Sequence, residues 1–208
     1  MSVIRVVGGA MAVVATLAVS QVVTDHWDLT SHPDPPFLRT VDLGHVAHLS
    51  YGDVQVTDVR PAQHLSPQDD TELARIAGGV FVLVSAKLTA TREPTYFLTV
   101  RLTGSDGRIY RPSQKSTCPP QARSDTGLPT YAVFCFDVPT AALPGLHFQA
   151  ARGSANGNDT DGDDLADIDL EISTADARSW ADTTDSYLVE PPGLEPIELQ
   201  TVTLSEGS

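Results

Sequence analysis

The sequence predicts an all-β fold, a β-sandwich of about seven or eight strands, behind a single apolar helix at the N-terminus. Three observations predict it. Apolar and polar residues alternate with a period of two from residue 40 onward, and residues 80–88 form a near-continuous apolar run of strand length. About seven such segments fit into roughly 130 residues, a density of strands that is typical of a sandwich.

In the N-terminal segment, residues 1–24, the eighteen positions 6–23 after Arg5 carry no charge. In an α-helix they would cover roughly 27 Å, close to the hydrocarbon thickness of a bilayer and longer than the apolar part of most signal peptides. Small residues at Ala18 and Ser20 also fit a signal-peptidase site, so a retained signal anchor and a cleaved signal peptide both remain open. Arg5 before the span and Asp25 after it predict a single-pass membrane protein with an extracytoplasmic C-terminal domain, or a secreted one.

Residues 25–39 contain three prolines and predict an extended spacer from the membrane. The sandwich is predicted for residues 40–173. A short helix is expected at 66–76, where a serine precedes a proline and several acids. Strands are expected at 54–59, 80–88, 96–102, 108–110, 132–138, 146–151 and 166–172.

Acidic residues are concentrated at the C-terminal end. The 208 residues carry a formal charge of −14, of which residues 153–208 hold −13. Nucleic acids and anionic membrane surfaces are bound through clustered Lys and Arg, so both classes of partner are disfavoured. Residues 174–208 predict an acidic, largely irregular tail. The alternation at 197–204 could add an edge strand to this protein or to a partner.

The only two cysteines are Cys118 and Cys135. In an oxidising compartment an isolated pair is most simply a disulfide, and two unpaired buried thiols are the alternative. A closed loop of this length would stabilise the fold by about 3 kcal/mol.

Four short strings carry a family resemblance: GVFVLV at 79–84, DGRIYRPS at 106–113, FDVP at 136–139 and DIDL at 167–170. Over about residues 40–173 the chain resembles the bacterial extracytoplasmic immunoglobulin-like domains of unknown function, and it is similar in architecture to the mycobacterial immunoprotective secreted antigen. The resemblance implies an immunoglobulin-like β-sandwich outside the membrane, often anchored by a lipid or a helix. It implies no catalytic residues.

The acidic stretch 158–167 is the best candidate for a metal site. Closely spaced carboxylates are the ligands that calcium prefers, although the spacing does not match an EF-hand loop, whose first and twelfth positions would be glycine and isoleucine. The alternative is a solvated hairpin loop between two strands. No other cofactor is expected. The candidate calcium ligands are Asp159, Asp161, Asp163 and Asp164.

The one local basic cluster comprises Arg101, Arg108, Arg111 and Lys115. These side chains suit an acidic partner, or the chain's own tail, through charge-assisted hydrogen bonds. The alternative is that they are exposed strand and turn residues whose stems cover the edge of the sandwich.

No zinc-protease, nucleophile-elbow or phosphate-loop motif occurs in the sequence, so it is not expected to be an enzyme. It predicts a non-catalytic binding or scaffolding module of the bacterial cell envelope, an accessory protein that docks on another membrane or secreted protein. Eleven arginines against two lysines favour a GC-rich, actinobacterial source. The alternatives are an extracytoplasmic hydrolase with a dispersed triad and a calcium-responsive adhesin-like domain.

Overall fold

Strands dominate the structure, a computed structural model that describes residues 35–66, 75–113, 118–153 and 162–202. The described residues form one 3-10 helix, η1 (Thr140–Ala142), and one α-helix, α1 (Thr174–Ala181). Their strands are β1 (Phe37–Asp42), β2 (Val46–His48), β3 (Gly52–Ser66), β4 (Arg75–Ala90), β5 (Thr95–Phe97), β6 (Thr99–Thr103), β7 (Ile109–Tyr110), β8 (Ala122–Ser124), β9 (Pro129–Val138), β10 (His147–Ala151), β11 (Asp164–Asp169), β12 (Ser186–Leu188) and β13 (Gln200–Thr201).

Two sheets make a β-sandwich, which confirms the all-β prediction. The front sheet has the order β1-β11-β10-β6-β7, and the back sheet has the order β13-β12-β3-β4-β9, with β2 also paired to β3. A third, two-stranded sheet joins β5 and β8. Neighbouring strands are antiparallel except for two parallel pairs, β1 with β11 and β12 with β3.

The main core lies between the two sheets. Phe134 and Phe136 of β9 face Phe148 of β10 across it, with ring centroids 5.8 and 6.3 Å from that of Phe148. All three side chains are fully buried. Such tilted and edge-to-face contacts add to the burial energy of aromatic pairs, so this cluster is a principal link between the sheets.

A second apolar layer covers the outward face of the back sheet, and Ile197 and Leu199 of the C-terminal segment pack against it. Because β3, β4 and β9 are therefore covered on both faces, residues 80–88 form a near-continuous apolar run, interrupted only by Ser85 and Lys87, instead of an alternating one. The buried members of this layer are Ala62, Leu65, Ala77, Phe81, Leu83, Cys118, Val133, Cys135, Tyr187 and Val189.

We call residues 189–199 the tail strap, because this segment crosses the back sheet. Before the strap, β12 pairs with β3. Within it, Gly193 exchanges two backbone hydrogen bonds of 2.8 and 3.0 Å with Tyr131 of β9, at the far edge of the sheet. After the strap, β13 returns to pair with β12. Of the expected edge strand at 197–204, Gln200–Thr201 form β13 at the edge of the back sheet in this protein, and residues 203–204 lie outside the described part.

Within the described residues of the predicted irregular tail after residue 173, α1, β12 and β13 are regular, and most of the rest, including the tail strap, has no regular secondary structure. Helix α1 begins with a capping box, in which Ser173 and Asp176 bond each other's backbone amides, and β12 adds a strand to the back sheet. Tyr187 and Val189 are buried, and Ile197 and Leu199 are partly buried, because the back sheet offers them a face, which local periodicity cannot reveal.

The structure has more strands than the seven or eight expected. Strand β1 starts at Phe37, inside the predicted spacer, and several further strands are too short to show a sustained alternation. At the predicted helix of 66–76, Ser66 ends β3 while Arg75 and Ile76 begin β4; residues 67–74 lie outside the described part. The predicted N-terminal helix also lies outside it. No helix in the described part is long and apolar enough to cross a membrane.

The two cysteines form the expected disulfide, Cys118 to Cys135. Cys135 is in the middle of β9 and is fully buried, and Cys118 is 5% exposed. The bond therefore ties the connection between β7 and β8 to the outward face of the back sheet.

Candidate functional site

A small cavity lies beside the front sheet where β6 is left uncovered. Strand β7 pairs with Leu102 and Thr103 at one end of β6. Beside the rest of β6, residues 98–101 form one wall of a cavity of about 160 Å³, and Arg111, Pro112 and Pro120 form the opposite wall. We call this space the arginine cavity, because Arg101 and Arg111 stand on its two walls.

Two contacts with Cys135 attach the outer wall of the arginine cavity to the back sheet. The backbone N–H of Ser113 donates to the carbonyl of Cys135 at 3.0 Å, and the disulfide attaches Cys118 to the same residue. Pro112 and Pro120 stand next to these two attachment regions and restrict the backbone further. The cavity is thus preorganised, which lowers the entropic cost of binding.

Arg101 sits on the outward face of the front sheet in a hydrogen-bonded row. Its Nε donates to Gln149 Oε1 at 2.8 Å, and Gln149 Nε2 donates to Asp167 Oδ1 at 2.9 Å. Arg101 therefore bonds the neutral amide of Gln149. That amide in turn connects Arg101 to the carboxylate of Asp167. Burial lowers the pKa of Arg101, the positive charge of Arg111 lowers it further, and Asp167 opposes both. An incoming anion would relieve this unfavourable charge environment.

Thr99 contributes a polar atom with an unmet hydrogen bond. Within the described residues its Oγ1 is buried and has no hydrogen-bond partner. Gly153 lies against it with φ +56°, and a Cβ at that glycine would stand 2.4 Å from Thr99 Oγ1. A buried hydroxyl left without a partner costs about 1–3 kcal/mol, so a ligand or water in the adjoining cavity would stabilise it.

The structure brings together two of the four basic residues that the sequence singled out. Arg101 and Arg111 both line the cavity. Arg108 lies in the turn before β7, is 73% exposed at its side chain and pairs with Asp106 at 3.3 Å. Lys115 lies outside the described residues. Sequence reasoning missed Thr99, although the period of two places it on the same strand face as Arg101.

Two of the four candidate calcium ligands are described, and both are engaged by other groups. Asp163 accepts hydrogen bonds from Arg152 Nε and from the amide of Asp164. Asp164 accepts from Ser50 N at 2.7 Å and Arg39 Nε at 2.8 Å. A calcium ion would have to displace two guanidinium groups here, and Asp159 and Asp161 lie outside the described part. No group of three or more metal-binding side chains occurs in that part. Calcium binding stays a prediction.

Tyr51 connects the segment that holds Asp163 and Asp164 to Arg152. Its hydroxyl donates to the carbonyl of Asp164 at 2.7 Å and accepts from the amide of Arg152 at 3.0 Å. The guanidinium of Arg152 lies over the Tyr51 ring, 4.8 Å from its centroid. Burial raises the pKa of the Tyr51 hydroxyl, which therefore stays protonated as a donor. These contacts hold together the end of β10, the start of β11 and the start of β3.

We expect Asp164→Asn to lower stability in a pH-dependent way. Burial alone would raise the pKa of Asp164, but hydrogen bonds from Ser50 and Arg39 outweigh it and hold that pKa below its ordinary value. The ionised carboxylate therefore stabilises the fold fully above about pH 4 and loses this effect as the pH falls toward the lower folded pKa.

The variant should be less stable by roughly 1–3 kcal/mol at pH 7, and the difference should shrink below about pH 4. Urea unfolding between pH 3 and 7 measures it. Asp125→Asn, which removes an exposed partner of Arg123, is the matched control and should change stability by less than about 0.5 kcal/mol. A difference for Asp164→Asn that stays constant with pH would contradict the assigned role.

Two solved structures are similar to the chain. The crystal structure of the yjhA protein from Bacillus subtilis matches with a TM-score of 0.45 and 12% identity, over 62% of this chain and 99% of that one. An uncharacterised β-sandwich protein from Clostridium difficile 630 matches with a TM-score of 0.36 and 11% identity, over 66% of this chain and 97% of that one. No protein-family model and no curated protein matches the sequence. What the chain does is therefore inferred from its own geometry.

Proposed function

We propose that this protein is a non-catalytic binding module of the bacterial cell envelope that docks on an acidic segment of another membrane or secreted protein. The arginine cavity carries the proposal, because Arg101 and Arg111 line it together with Thr99, whose buried hydroxyl has no hydrogen-bond partner within the described residues. All three groups donate hydrogen bonds, and the two guanidinium groups have no acceptor atoms. The complementary ligand is a carboxylate.

The size of the cavity favours a side chain or a chain terminus over a complete small molecule. Sites for small molecules usually measure about 300–1,000 Å³. The arginine cavity, at about 160 Å³, is well below that range. A partner would thus insert one Asp or Glu side chain, or its C-terminal carboxylate, while the surrounding surfaces meet outside the cavity.

The location outside the cytoplasm has support from the disulfide, because such bonds persist in oxidising compartments. The apolar residues 1–24 would then serve as a signal anchor or a signal peptide. We also propose that the sandwich belongs to the immunoglobulin-like kind, for which the resemblance over residues 40–173 is the support.

The proposal is tested with the full-length protein in mild detergent and a fluorescent decaglutamate peptide as the probe. Decaglutamine is the uncharged control. We expect Arg101→Gln and Arg111→Gln each to weaken decaglutamate binding about tenfold, which corresponds to one charge-assisted hydrogen bond of about 1.4 kcal/mol. Added salt should also weaken binding.

Arg108→Gln is the matched control, since Arg108 is close in sequence but exposed and paired with Asp106. Its effect should stay below about twofold, because exposed ion pairs contribute little. If Arg108→Gln and Arg101→Gln weaken decaglutamate binding equally, the peptide binds through general surface charge and not through the arginine cavity. Equal binding of decaglutamine, or no binding of decaglutamate at millimolar peptide, would refute carboxylate recognition.

A further inference from the structure

A second concave surface lies on the back sheet, beside a bulge in β3. Val56 pairs with Ala86 and Asp58 pairs with Ser85, so Thr57 is the extra residue between two registered pairs. The hydroxyl of Thr57 donates to the carbonyl of Ser85 at 3.2 Å. Because a bulge re-aims side chains locally, Thr57 and Asp58 both line the same groove.

The tail strap supplies the opposite wall of this groove. Ile197 and Leu199 are partly buried against the second apolar layer, and Glu198 between them is exposed. All three residues line a space of about 370 Å³. Unlike the arginine cavity, this groove falls within the usual range of small-molecule sites. The two spaces have no lining residue in common.

The polar lining of the groove combines acceptors and donors. Asp58 and Glu198 present carboxylates, and Arg60 presents a guanidinium whose Nε donates to Asp58 Oδ2 at 2.6 Å. Thr57 and Ser85 add hydroxyls. Two carboxylates against one guanidinium leave the groove with a net negative charge, so anionic ligands are disfavoured and a cationic group is favoured.

We propose that this groove binds a polyhydroxylated small molecule of monosaccharide size, with an amine-bearing sugar preferred over a neutral one. Ligand hydroxyls can donate to the two carboxylates and accept from Arg60, while the aliphatic ring face packs on Ile197 and Leu199. An ammonium group would lie nearest Glu198, the carboxylate that is not paired with Arg60. The site is independent of the proposed carboxylate recognition.

Saturation-transfer NMR on the full-length protein in mild detergent tests the site with glucosamine, glucose and glucuronate as probes. We expect glucosamine to bind more tightly than glucose, and glucuronate to give no specific transfer. Glu198→Gln should weaken glucosamine binding at least about threefold and leave glucose within about twofold, because only the amine loses an ionic partner.

Glu195→Gln is the matched control, since Glu195 is an exposed acid of the same strap that does not line the groove. It should leave all three sugars unchanged. Failure of every sugar to bind at tens of millimolar, or equal losses for Glu195→Gln and Glu198→Gln, would overturn the proposal. Arg101→Gln should leave sugar binding intact, so the two sites can fail separately.

Discussion

Phe148→Ala is expected to lower the free energy of unfolding by about 3–5 kcal/mol, the usual cost of truncating a fully buried phenylalanine. Phe148 is fully buried on β10 and contacts Phe134 and Phe136 of the opposite sheet. The variant loses both aromatic contacts and leaves a cavity that close-packed strands cannot fill by small shifts. Urea unfolding of the full-length protein, followed by circular dichroism, measures the change.

Phe37→Ala is the matched control for this prediction. Phe37 lies on β1 of the same front sheet, yet it is 61% exposed. Its truncation should change stability by no more than about 0.5 kcal/mol. If the two variants lose similar stability, the aromatic cluster is not the link between the sheets that the geometry indicates.

Removal of the disulfide should have two separable effects. The double variant Cys118→Ala/Cys135→Ala is expected to lose about 3 kcal/mol of stability, since the bond closes a loop with a sequence separation of 17. It should also bind decaglutamate about tenfold more weakly. The outer wall of the arginine cavity would then lose its covalent attachment to Cys135 and keep the hydrogen bond from Ser113, so part of the preorganisation would be lost.

Two comparisons separate the loss of decaglutamate affinity from the loss of stability. Wild-type protein treated with a reductant should reproduce the weaker binding. Phe148→Ala, measured below its melting temperature, has a comparable loss of stability but leaves the disulfide intact, so it should retain the affinity for decaglutamate. If Phe148→Ala loses as much affinity as the cysteine variant, the disulfide acts on binding only through global stability.

The strands were predictable where the pattern was long and local. The run 80–88 predicted the middle of β4, and the β-branched and aromatic segment 96–102 predicted β5 and β6. The near-continuous apolar run in β4 indicated burial on both faces, but it did not reveal which residues cover each face. Phe134 and Phe136 lie on the inner side of the back sheet, and the tail strap lies on its outer side.

The candidate site was predictable only in part. Arg101 and Arg111 were found because they are close in sequence, and both line the cavity. Gly153 approaches Thr99 from a distant part of the chain, and Pro120 reaches the wall only through the disulfide-linked connection. Proximity of this kind depends on strand order and on the path of a loop, which neither spacing nor composition contains.

In the acidic stretch 158–167, too, spacing in the sequence did not reveal the tertiary partners of the side chains. Four closely spaced carboxylates predicted calcium, but the spacing does not reveal which of them already have partners. Asp164 is bonded by Arg39, a residue 125 positions earlier in the chain. The parallel pairing of β1 with β11 brings the two together.

The sequence by itself determined the all-β class, because strand periodicity is local, and it restricted the cysteines to one disulfide or two free thiols, because a single pair leaves one partner for each. The tertiary structure decided that the acidic C-terminal segment becomes a strap over the back sheet, that two arginines share a cavity, and that Asp163 and Asp164 are paired. The physical reason is that burial and ion pairing depend on which surfaces meet. In this sandwich, surfaces far apart in sequence meet through strand order.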